Sequence, residues 1–465
     1  MRIRLPLFIL LMLIPSLALA QPPQPQGPDF PVNTNTSGDQ GAPDVASEDD
    51  GAFVIVWESD GQDGDSWGIY GRVFDDDSSG GTEILFPQTT MGAQRDPAVA
   101  MTLDGEFVVA WSSPDSDGPG IKARLFKEDG AAIIGDQNIN ETTIGQQIKP
   151  DVGIYRFGDF EEGGMNGWVV LVVWQGPDST TSDIWARLFA IADDGAGTII
   201  EDTGEFRVNS ITSGPQGTIR VSTVATSKQF AVVWEGPDAD ASGVYITFID
   251  ASNPTMVPTE TLVNTTTDGT QTNPSVITTP DGKTVVAWEG PDSDGTGVFA
   301  QAYDDQGMAV GGEKQVNDNE TGDQDSPSLS IGEDGEAFTL VWRSTAPLPS
   351  SSLPITEGSP IFIHGRTLSG PGASRLGPEW SVDDLAFRGN GPGPPDTPIT
   401  INSSGTDVLN PRVAAKRDAD FTVVWESVGL DGPGSSGIYA RRFVVPIFVD
   451  DFETGDTSAW SSTVP

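Results

Sequence analysis

Pairs of aspartates recur in short glycine-rich stretches of this 465-residue chain, where they could hold a metal ion. An Asp-x-Asp pair on a glycine-rich turn can place two carboxylates on one hard cation such as calcium. The full calcium-loop spacing, which ends on a following Glu, is incomplete, and Asp and Gly are also ordinary turn residues. Calcium binding and plain turn formation therefore both stay open. The aspartates are Asp60, Asp63 and Asp65; Asp115 and Asp117; Asp238 and Asp240; Asp292 and Asp294.

A glutamine in the pattern Gly-x-Gln-x-x-Pro is the second recurring polar group. A ring of such amides could bind a polar ligand such as a sugar, or each amide could bond the backbone of a neighbouring unit. A ligand seldom has the symmetry of a repeat, so recurrence favours the architectural interpretation. The aligned residues are Gln40, Gln94, Gln147, Gln271 and Gln324, Gln216 in a copy without the proline, and Asp407 in place of the amide in the last copy. Asp407 is thereby the one candidate acid or base of an enzyme.

The chain has no cysteine and a single histidine, His364, which argues against zinc, haem and iron–sulfur centres. His364 occupies a slot that other units fill mainly with an aromatic residue, so we expect it to pack rather than to transfer protons. An arginine stands two residues further along, as in Tyr70-Gly71-Arg72. We expect that arginine to stack on aromatic rings and to pair with a carboxylate.

These residues belong to a sevenfold repeat, whose units are marked by apolar runs that end in tryptophan. Each unit holds four short apolar runs separated by turn residues, which predicts a four-stranded antiparallel meander. Seven such units predict an all-β fold, a seven-bladed β-propeller. The loops between the fourth and first strands and between the second and third strands then share one end of the ring. The marking tryptophans are Trp57, Trp111, Trp174, Trp234, Trp288, Trp342 and Trp425.

The two ends of the repeat region complement each other. The segment "DFPVNTNT" precedes the first unit and matches the sequence of a fourth strand, as in "VNTTT". The last unit lacks that strand. We therefore expect Phe30–Asn33 to supply the outer strand of blade seven and to close the ring, which removes an exposed sheet edge.

Composition indicates an exported chain. Residues 1–20 have the basic start, apolar centre and small-residue end of a signal peptide, and no later segment is long and apolar enough to span a membrane. A Pro/Gln-rich leader at 21–28 is expected to be flexible, the propeller covers 29–445, and a tail covers 446–465. The formal charge is 24 − 68 = −44, which disfavours nucleic acid and anionic membranes as partners. We expect a monomer.

The repeat G-x-Q-x-x-P-x-V…D-G-x-F-V-V-x-W…G-I-Y-A-R-x-F…V-N resembles repeats in large exported bacterial proteins of propeller type. It is more distantly similar to FG-GAP, sialidase-like and TolB-like propellers, although the Asp-box of sialidases is missing. The segment "DDFETGDTSAWSS" resembles a short C-terminal tail of exported bacterial proteins, which implies a sorting or attachment signal; an extra strand whose Phe452 and Trp460 pack on the propeller is an equal alternative.

The sequence is compatible with three functions. The uniform repeat favours a non-catalytic module that binds an extracellular glycan or protein at the cell surface or beyond it. A glycan-active hydrolase with a carboxylate pair in the channel is the first alternative. A calcium-stabilised structural or matrix protein is the second.

Overall fold

The computed structural model is all β and has seven antiparallel sheets, which confirms the predicted seven-bladed β-propeller. It describes residues 23–76, 79–158, 166–177, 181–211, 213–224, 228–256, 260–331, 337–346, 361–369, 374–375, 380–381, 407–416, 420–432 and 434–444. The predicted signal peptide and the predicted tail lie outside these residues.

Each blade runs outward in chain order from its first strand. Blade 1 has β3 (Gln40–Ser47), β4 (Phe53–Asp60), β5 (Trp67–Phe74) and β6 (Ile84–Leu85). Blade 2 has β7 (Arg95–Met101), β8 (Phe107–Pro114), β9 (Pro119–Phe126) and β10 (Gln137–Asn138). Blade 3 has β11 (Ile148–Phe157), β12 (Gly167–Pro177), β13 (Ser182–Ala192) and an outer position shared by β14 (Ile199–Asp202) and β15 (Phe206–Arg207).

The remaining blades follow the same order. Blade 4 has β16 (Ile219–Val224), β17 (Gln229–Gly236), β18 (Gly243–Asp250) and β19 (Thr261–Leu262). Blade 5 has β20 (Thr272–Thr278), β21 (Thr284–Pro291), β22 (Thr296–Tyr303) and β23 (Ala309–Gln315). Blade 6 has β24 (Gln324–Ile331), β25 (Ala337–Ser344), β26 (Phe362–Ser369), β27 (Ser374–Arg375) and β28 (Trp380–Ser381). Blade 7 has β29 (Val408–Ala415), β30 (Phe421–Val428) and β31 (Ser436–Val444).

The first strands form the inner wall of a closed ring. Each contacts the first strand of the next blade, and β29 returns to contact β3. Apolar side chains on both faces of the sheets fill the spaces between blades, so each hydrophobic cluster joins two adjacent blades. The seven repeat tryptophans lie in these clusters and are at most 1% exposed, so they form part of the core.

The chain's opening strands complete blade 7, as the repeat arithmetic predicted. β2 (Phe30–Pro31) pairs with Ala440 and Tyr439 of β31, and the Val32 N–H donates to the Ile438 carbonyl at 2.8 Å. Val32 is fully buried, so the closure also fills the core. Within the segment 21–28, β1 (Gln24–Pro25) also pairs with β31.

Among the described residues, no helix is long and apolar enough to cross a membrane.

Candidate functional site

The repeated glutamines lie at the start of the inner strands and are at most 2% exposed. In blade 3 the Gln147 amide nitrogen donates to the Ile144 carbonyl at 3.0 Å, and its oxygen accepts from Asn140 Nδ2 at 3.2 Å. The pairs Asn33–Gln40, Asn264–Gln271 and Asn317–Gln324 repeat this contact. The asparagine belongs to the Val-Asn of the preceding blade's outer strand. These are the contacts of the architectural interpretation; ligand binding by the glutamines stays a prediction.

The strand register corrects the alignment of Asp407. Gln40 pairs with Ser59 and Gln324 with Ser344, whereas the residue that pairs with the equivalent Ser427 is Val408. Asp407 precedes that position, and its carbonyl accepts the Val428 N–H at 3.0 Å. The sequence already held the signal, because Val408 stands three residues before its proline, as each glutamine does. Asp407 therefore stands one residue before the glutamine position, and a ligand-binding or catalytic role for it stays a prediction.

The acidic loops form tight turns that hold neighbouring blades together. Asp115 Oδ1 accepts the Asp117 N–H at 2.9 Å, and Asp117 Oδ2 accepts the N–H of Gly145 in the next loop at 3.3 Å. The pairs Asp63–Asp65, Asp238–Asp240 and Asp292–Asp294 make the same turn. Within the described part of the chain, no group of three or more Asp, Glu, His or Cys residues is arranged to hold a metal ion. Calcium binding by these loops stays a prediction.

The arginines of the third strands link each blade to the preceding one. Arg124 stacks over Phe126 at 5.1 Å and donates to the Phe86 carbonyl at 2.9 Å. Arg72 and Arg187 repeat both contacts, and Arg187 also pairs with Asp202.

His364 lies fully buried in blade 6, with its ring centroid 6.3 Å from that of Trp342. Burial lowers the pKa of His364 to about 3, so the imidazole is neutral at physiological pH and serves packing.

One position of the inner strands breaks the sevenfold symmetry. It is the residue after the proline, or after Ile219 in blade 4, which has no proline here. In every blade it pairs with the residue just before the repeat tryptophan. We call this set the inner ring. Its members, from blade 1 to blade 7, are Asp44, Ala98, Asp151, Arg220, Ser275, Ser328 and Arg412. The signal in the sequence was the variable residue in P-x-V, which the repeat pattern treats as unconstrained.

Four charges of the inner ring face one another near the axis. Arg412 Nε lies 4.0 Å from Asp44 Oδ1 across the junction of blades 7 and 1. Burial raises the pKa of Asp44, and the charge of Arg412 offsets part of that rise. Burial, opposed by Arg220 and reinforced by Asp44, raises the pKa of Asp151 to about 6. Burial and the nearby Arg220 lower the pKa of Arg412 to about 10.

The inner ring also carries structural contacts. Asp44 Oδ2 accepts the Val99 N–H of blade 2 at 2.8 Å, and Asp151 Oδ2 accepts the Val221 N–H of blade 4 at 2.8 Å. Ser275 and Ser328 accept the corresponding N–H of the next blade. Each of these side chains thus links the inner strands of two adjacent blades. The carboxylates of Asp44 and Asp151 therefore have a structural role in addition to any chemical one.

Bulges at the channel mouth explain how the blades meet there. In six blades the residue before the proline has a positive φ, for example 48° at Ala42, and the strand register shifts at that point. In blades 1, 4, 5 and 7 a glutamate follows the repeat tryptophan and accepts the N–H of the bulged residue in the next blade, whereas Gln175 and Arg343 stand at that position in blades 3 and 6. Glu235 binds Asn273 N at 2.7 Å, and Glu426 binds Ala42 N at 3.4 Å. This glutamate fills the space between adjacent blades.

Blade 2 lacks this glutamate, because Ser112 follows Trp111. The Ser112 hydroxyl donates to Asp96 Oδ2 at 3.0 Å. Asp96 Oδ2 in turn accepts the N–H of the bulged residue Lys149 at 3.4 Å, as the glutamate does at other junctions. A cavity of about 380 Å³ lies at this junction of blades 2 and 3, which we call the Ser112 pocket. Ser112 is the smallest of the seven residues at this position.

The walls of the Ser112 pocket combine a guanidinium, a carboxylate and apolar surfaces. Arg95 and Asp96 line it together with Ser112, and its apolar lining includes Pro114, Pro119 and Ile148. Arg95 lies 3.7 Å above the ring of Trp67 and donates to Glu58 at 2.8 Å, yet 41% of its side chain is exposed. Sequence reasoning missed this pocket, although Ser112 in place of the recurring glutamate was a visible departure.

Comparison with known proteins yields similarity of fold alone. No family model matches the chain, and no curated protein matches it. A protein of unknown function from Dyadobacter fermentans DSM 18053 is 12% identical, with a TM-score of 0.50, over 90% of this chain and 98% of that one. Phage phi92 endosialidase is 8% identical, with a TM-score of 0.50, over 95% of this chain and 72% of that one. An α-L-arabinofuranosidase of Fusarium graminearum is 13% identical over 77% of this chain and 96% of its own, with a TM-score of 0.41.

Proposed function

We propose that this chain is an exported, non-catalytic propeller that binds a ligand at the channel mouth, in the Ser112 pocket. Export rests on the signal-peptide pattern of residues 1–20. Binding rests on one observation: a cavity of about 380 Å³ lies at the blade junction where Ser112, the smallest of the seven residues that follow the repeat tryptophans, stands in place of Glu, Gln or Arg. A site that serves one ligand must break the symmetry of the ring, and this pocket does so.

The pocket chemistry suits an oligosaccharide. A sugar ring presents an apolar face and several hydroxyl groups. Pro114, Pro119 and Ile148 offer apolar surface, and Arg95 and Asp96 offer a donor and an acceptor. The volume falls within the usual range for small-molecule sites, about 300–1,000 Å³. A phage endosialidase has a similar fold, which is a reason to include acidic glycans among the ligands tested.

A glycan-active hydrolase is the second candidate, and the inner ring favours it. Glycosidases use two carboxyl groups, one of which has a raised pKa and acts as the acid. Asp151, with its pKa raised to about 6 beside Asp44, has these features. Against catalysis, both carboxylates already accept a backbone N–H from the next blade. Binding therefore remains the preferred function.

Filling the pocket tests the proposal. Ser112→Glu introduces the residue that blades 1, 4, 5 and 7 carry at this position, and Ser112→Ala is the matched control, which keeps the space. On an array of neutral and acidic oligosaccharides, we expect the Glu variant to bind at least about tenfold more weakly than wild type, a loss of about 1.4 kcal/mol or more. The Ala variant should bind within a few-fold of wild type, and both should unfold at the wild-type temperature.

Two results would contradict the proposal. One is undiminished glycan binding by Ser112→Glu. The other is hydrolysis of an array member by wild type that is lost in Asp151→Asn and kept in Ser112→Glu, which would establish the hydrolase instead.

A further inference from the structure

The junction between blades 1 and 2 lacks the asparagine that the other described junctions share. In five blades a Val-Asn or Ile-Asn pair follows the outer strand. The amide nitrogens of Asn33 and Asn140 bind both an aspartate of the acidic loop and the glutamine of the next blade. In blade 1 the pair is Phe86-Pro87. The Phe86 N–H donates to the Ile69 carbonyl at 3.0 Å, as that of Ile139 does to Ile121 at 2.8 Å, so the register is unchanged. Proline thus stands where an amide donor is usual. The five asparagines are Asn33, Asn140, Asn209, Asn264 and Asn317.

The oxygens that such an amide binds are still present at this junction. In blade 2, Asn140 Nδ2 lies 3.3 Å from Asp115 Oδ2 and 3.2 Å from Gln147 Oε1. The counterparts at the blade 1 junction are Asp63 Oδ2 and Gln94 Oε1. Both atoms are buried, and neither has a hydrogen-bond partner among the described residues.

The orientation of Gln94 is fixed by its other end. Its nitrogen donates to the carbonyls of Met91 at 3.2 Å and Gly92 at 2.8 Å, so a flipped amide would set oxygen against oxygen. The residue is fully buried. In blade 4, Trp234 donates to the glutamine oxygen at 3.1 Å, but the indole nitrogen of Trp111 in blade 2 has no partner among the described residues. The Gln94 oxygen is therefore held toward the position of the missing amide.

The pairing of the two acceptors is particular to this junction. Asp238 of blade 4 also has a buried Oδ2 without a partner in the described structure, but there Asn264 satisfies the glutamine at 3.0 Å. A buried carboxylate oxygen without a donor is costly, because it has lost its hydration. A charged occupant would compensate both oxygens.

We propose that a monovalent cation of the size of K⁺ binds between Asp63 Oδ2 and Gln94 Oε1, at the position of the missing asparagine amide. The size follows from the sibling sites, where the amide nitrogen lies 2.7–3.3 Å from its oxygens. Calcium takes oxygens at about 2.3–2.6 Å, closer than these spacings, so a larger ion fits better. The cation fastens the first blade to the second, as the asparagine amide does elsewhere.

Thermal unfolding of the full chain tests this site. We compare 150 mM KCl with 150 mM choline chloride, at equal ionic strength, and expect wild type to unfold about 1–3 °C higher in KCl. Pro87→Asn supplies the amide, so it should be more stable than wild type in choline chloride and show no potassium effect. Asp63→Asn should also lose the effect. The matched control Asp238→Asn should keep the wild-type response.

An equal potassium response in wild type and Pro87→Asn would overturn the proposal, because the effect would then be non-specific. So would the absence of a response in wild type, which would assign the position to water. If Pro87→Asn fails to fold, the contrast between Asp63→Asn and Asp238→Asn decides: equal responses refute the site, and loss in Asp63→Asn alone supports it.

Discussion

Replacing Asp151 by asparagine should stabilise the propeller at neutral and alkaline pH. The Asp151 side chain lies in the inner ring, where burial raises its pKa from the ordinary value of 3.8 to about 6. Asparagine keeps an oxygen for the Val221 N–H that Asp151 now binds at 2.8 Å. The substitution therefore removes the charge and retains the link to blade 4.

The magnitude follows from the shift in pKa. A folded-state pKa above the unfolded value means that the folded protein binds the proton more tightly. The stabilisation is fully present below pH 3.8 and is lost as the pH rises toward 6. A shift of about two units corresponds to roughly 3 kcal/mol. The difference in unfolding free energy between Asp151→Asn and wild type should be near zero at pH 3 and should rise to about 3 kcal/mol in favour of the variant at pH 8.

Guanidinium chloride unfolding at pH 3, 5 and 8 measures this difference. Glu201→Gln on the exposed β14 strand is the control, and its effect should stay within about 0.5 kcal/mol at every pH. The reasoning fails if Asp151→Asn is less stable than wild type at pH 8. That result would mean that the attraction of Arg220 and the hydrogen bond that Asp151 Oδ1 accepts from the Val152 N–H at 3.0 Å together outweigh the penalty of burying the carboxylate.

Two further predictions concern the loops at the channel mouth. Asn140→Ala should lower the free energy of unfolding by roughly 2–5 kcal/mol, because two buried groups lose their hydrogen-bond partner. These are the Gln147 side-chain oxygen and the Ile121 N–H, which Asn140 Oδ1 accepts at 2.7 Å. An unchanged midpoint of urea unfolding would contradict this. Excess EDTA should leave the unfolding temperature unchanged, because the aspartate side chains of turns such as Asp115–Asp117 already accept backbone N–H groups. A drop of several degrees that added calcium reverses would instead establish calcium sites.

The architecture was predictable because its signals are local and repeated. Runs that end in Trp57 and its six counterparts set the strands, and the turn residues between them set the meander. The surplus Val32-Asn33 at one end and the missing pair at the other predicted ring closure, which β2 and β31 confirm. Each of these arguments needed only the comparison of one unit with another.

The candidate site was less predictable, because it lies in departures from the repeat. Alignment by the glycine placed Asp407 in the glutamine slot, whereas counting back from the proline would have placed Val408 there, as the register does. Ser112 was visible as a shorter residue, but its consequence depends on Ile148 of the next blade, which lines the same cavity.

The order of residues along the chain thus determined which segments become strands, how many blades form and how the ring closes, since hydrophobic alternation and turn chemistry act between near neighbours. Only the tertiary structure decided which charges meet. Asp44 and Arg412 are 368 positions apart in the chain, yet their side chains lie 4.0 Å apart, because closing the ring brings the first and last inner strands side by side. Burial there raises the pKa of Asp44 and lowers the pKa of Arg412, which the residue types alone do not indicate.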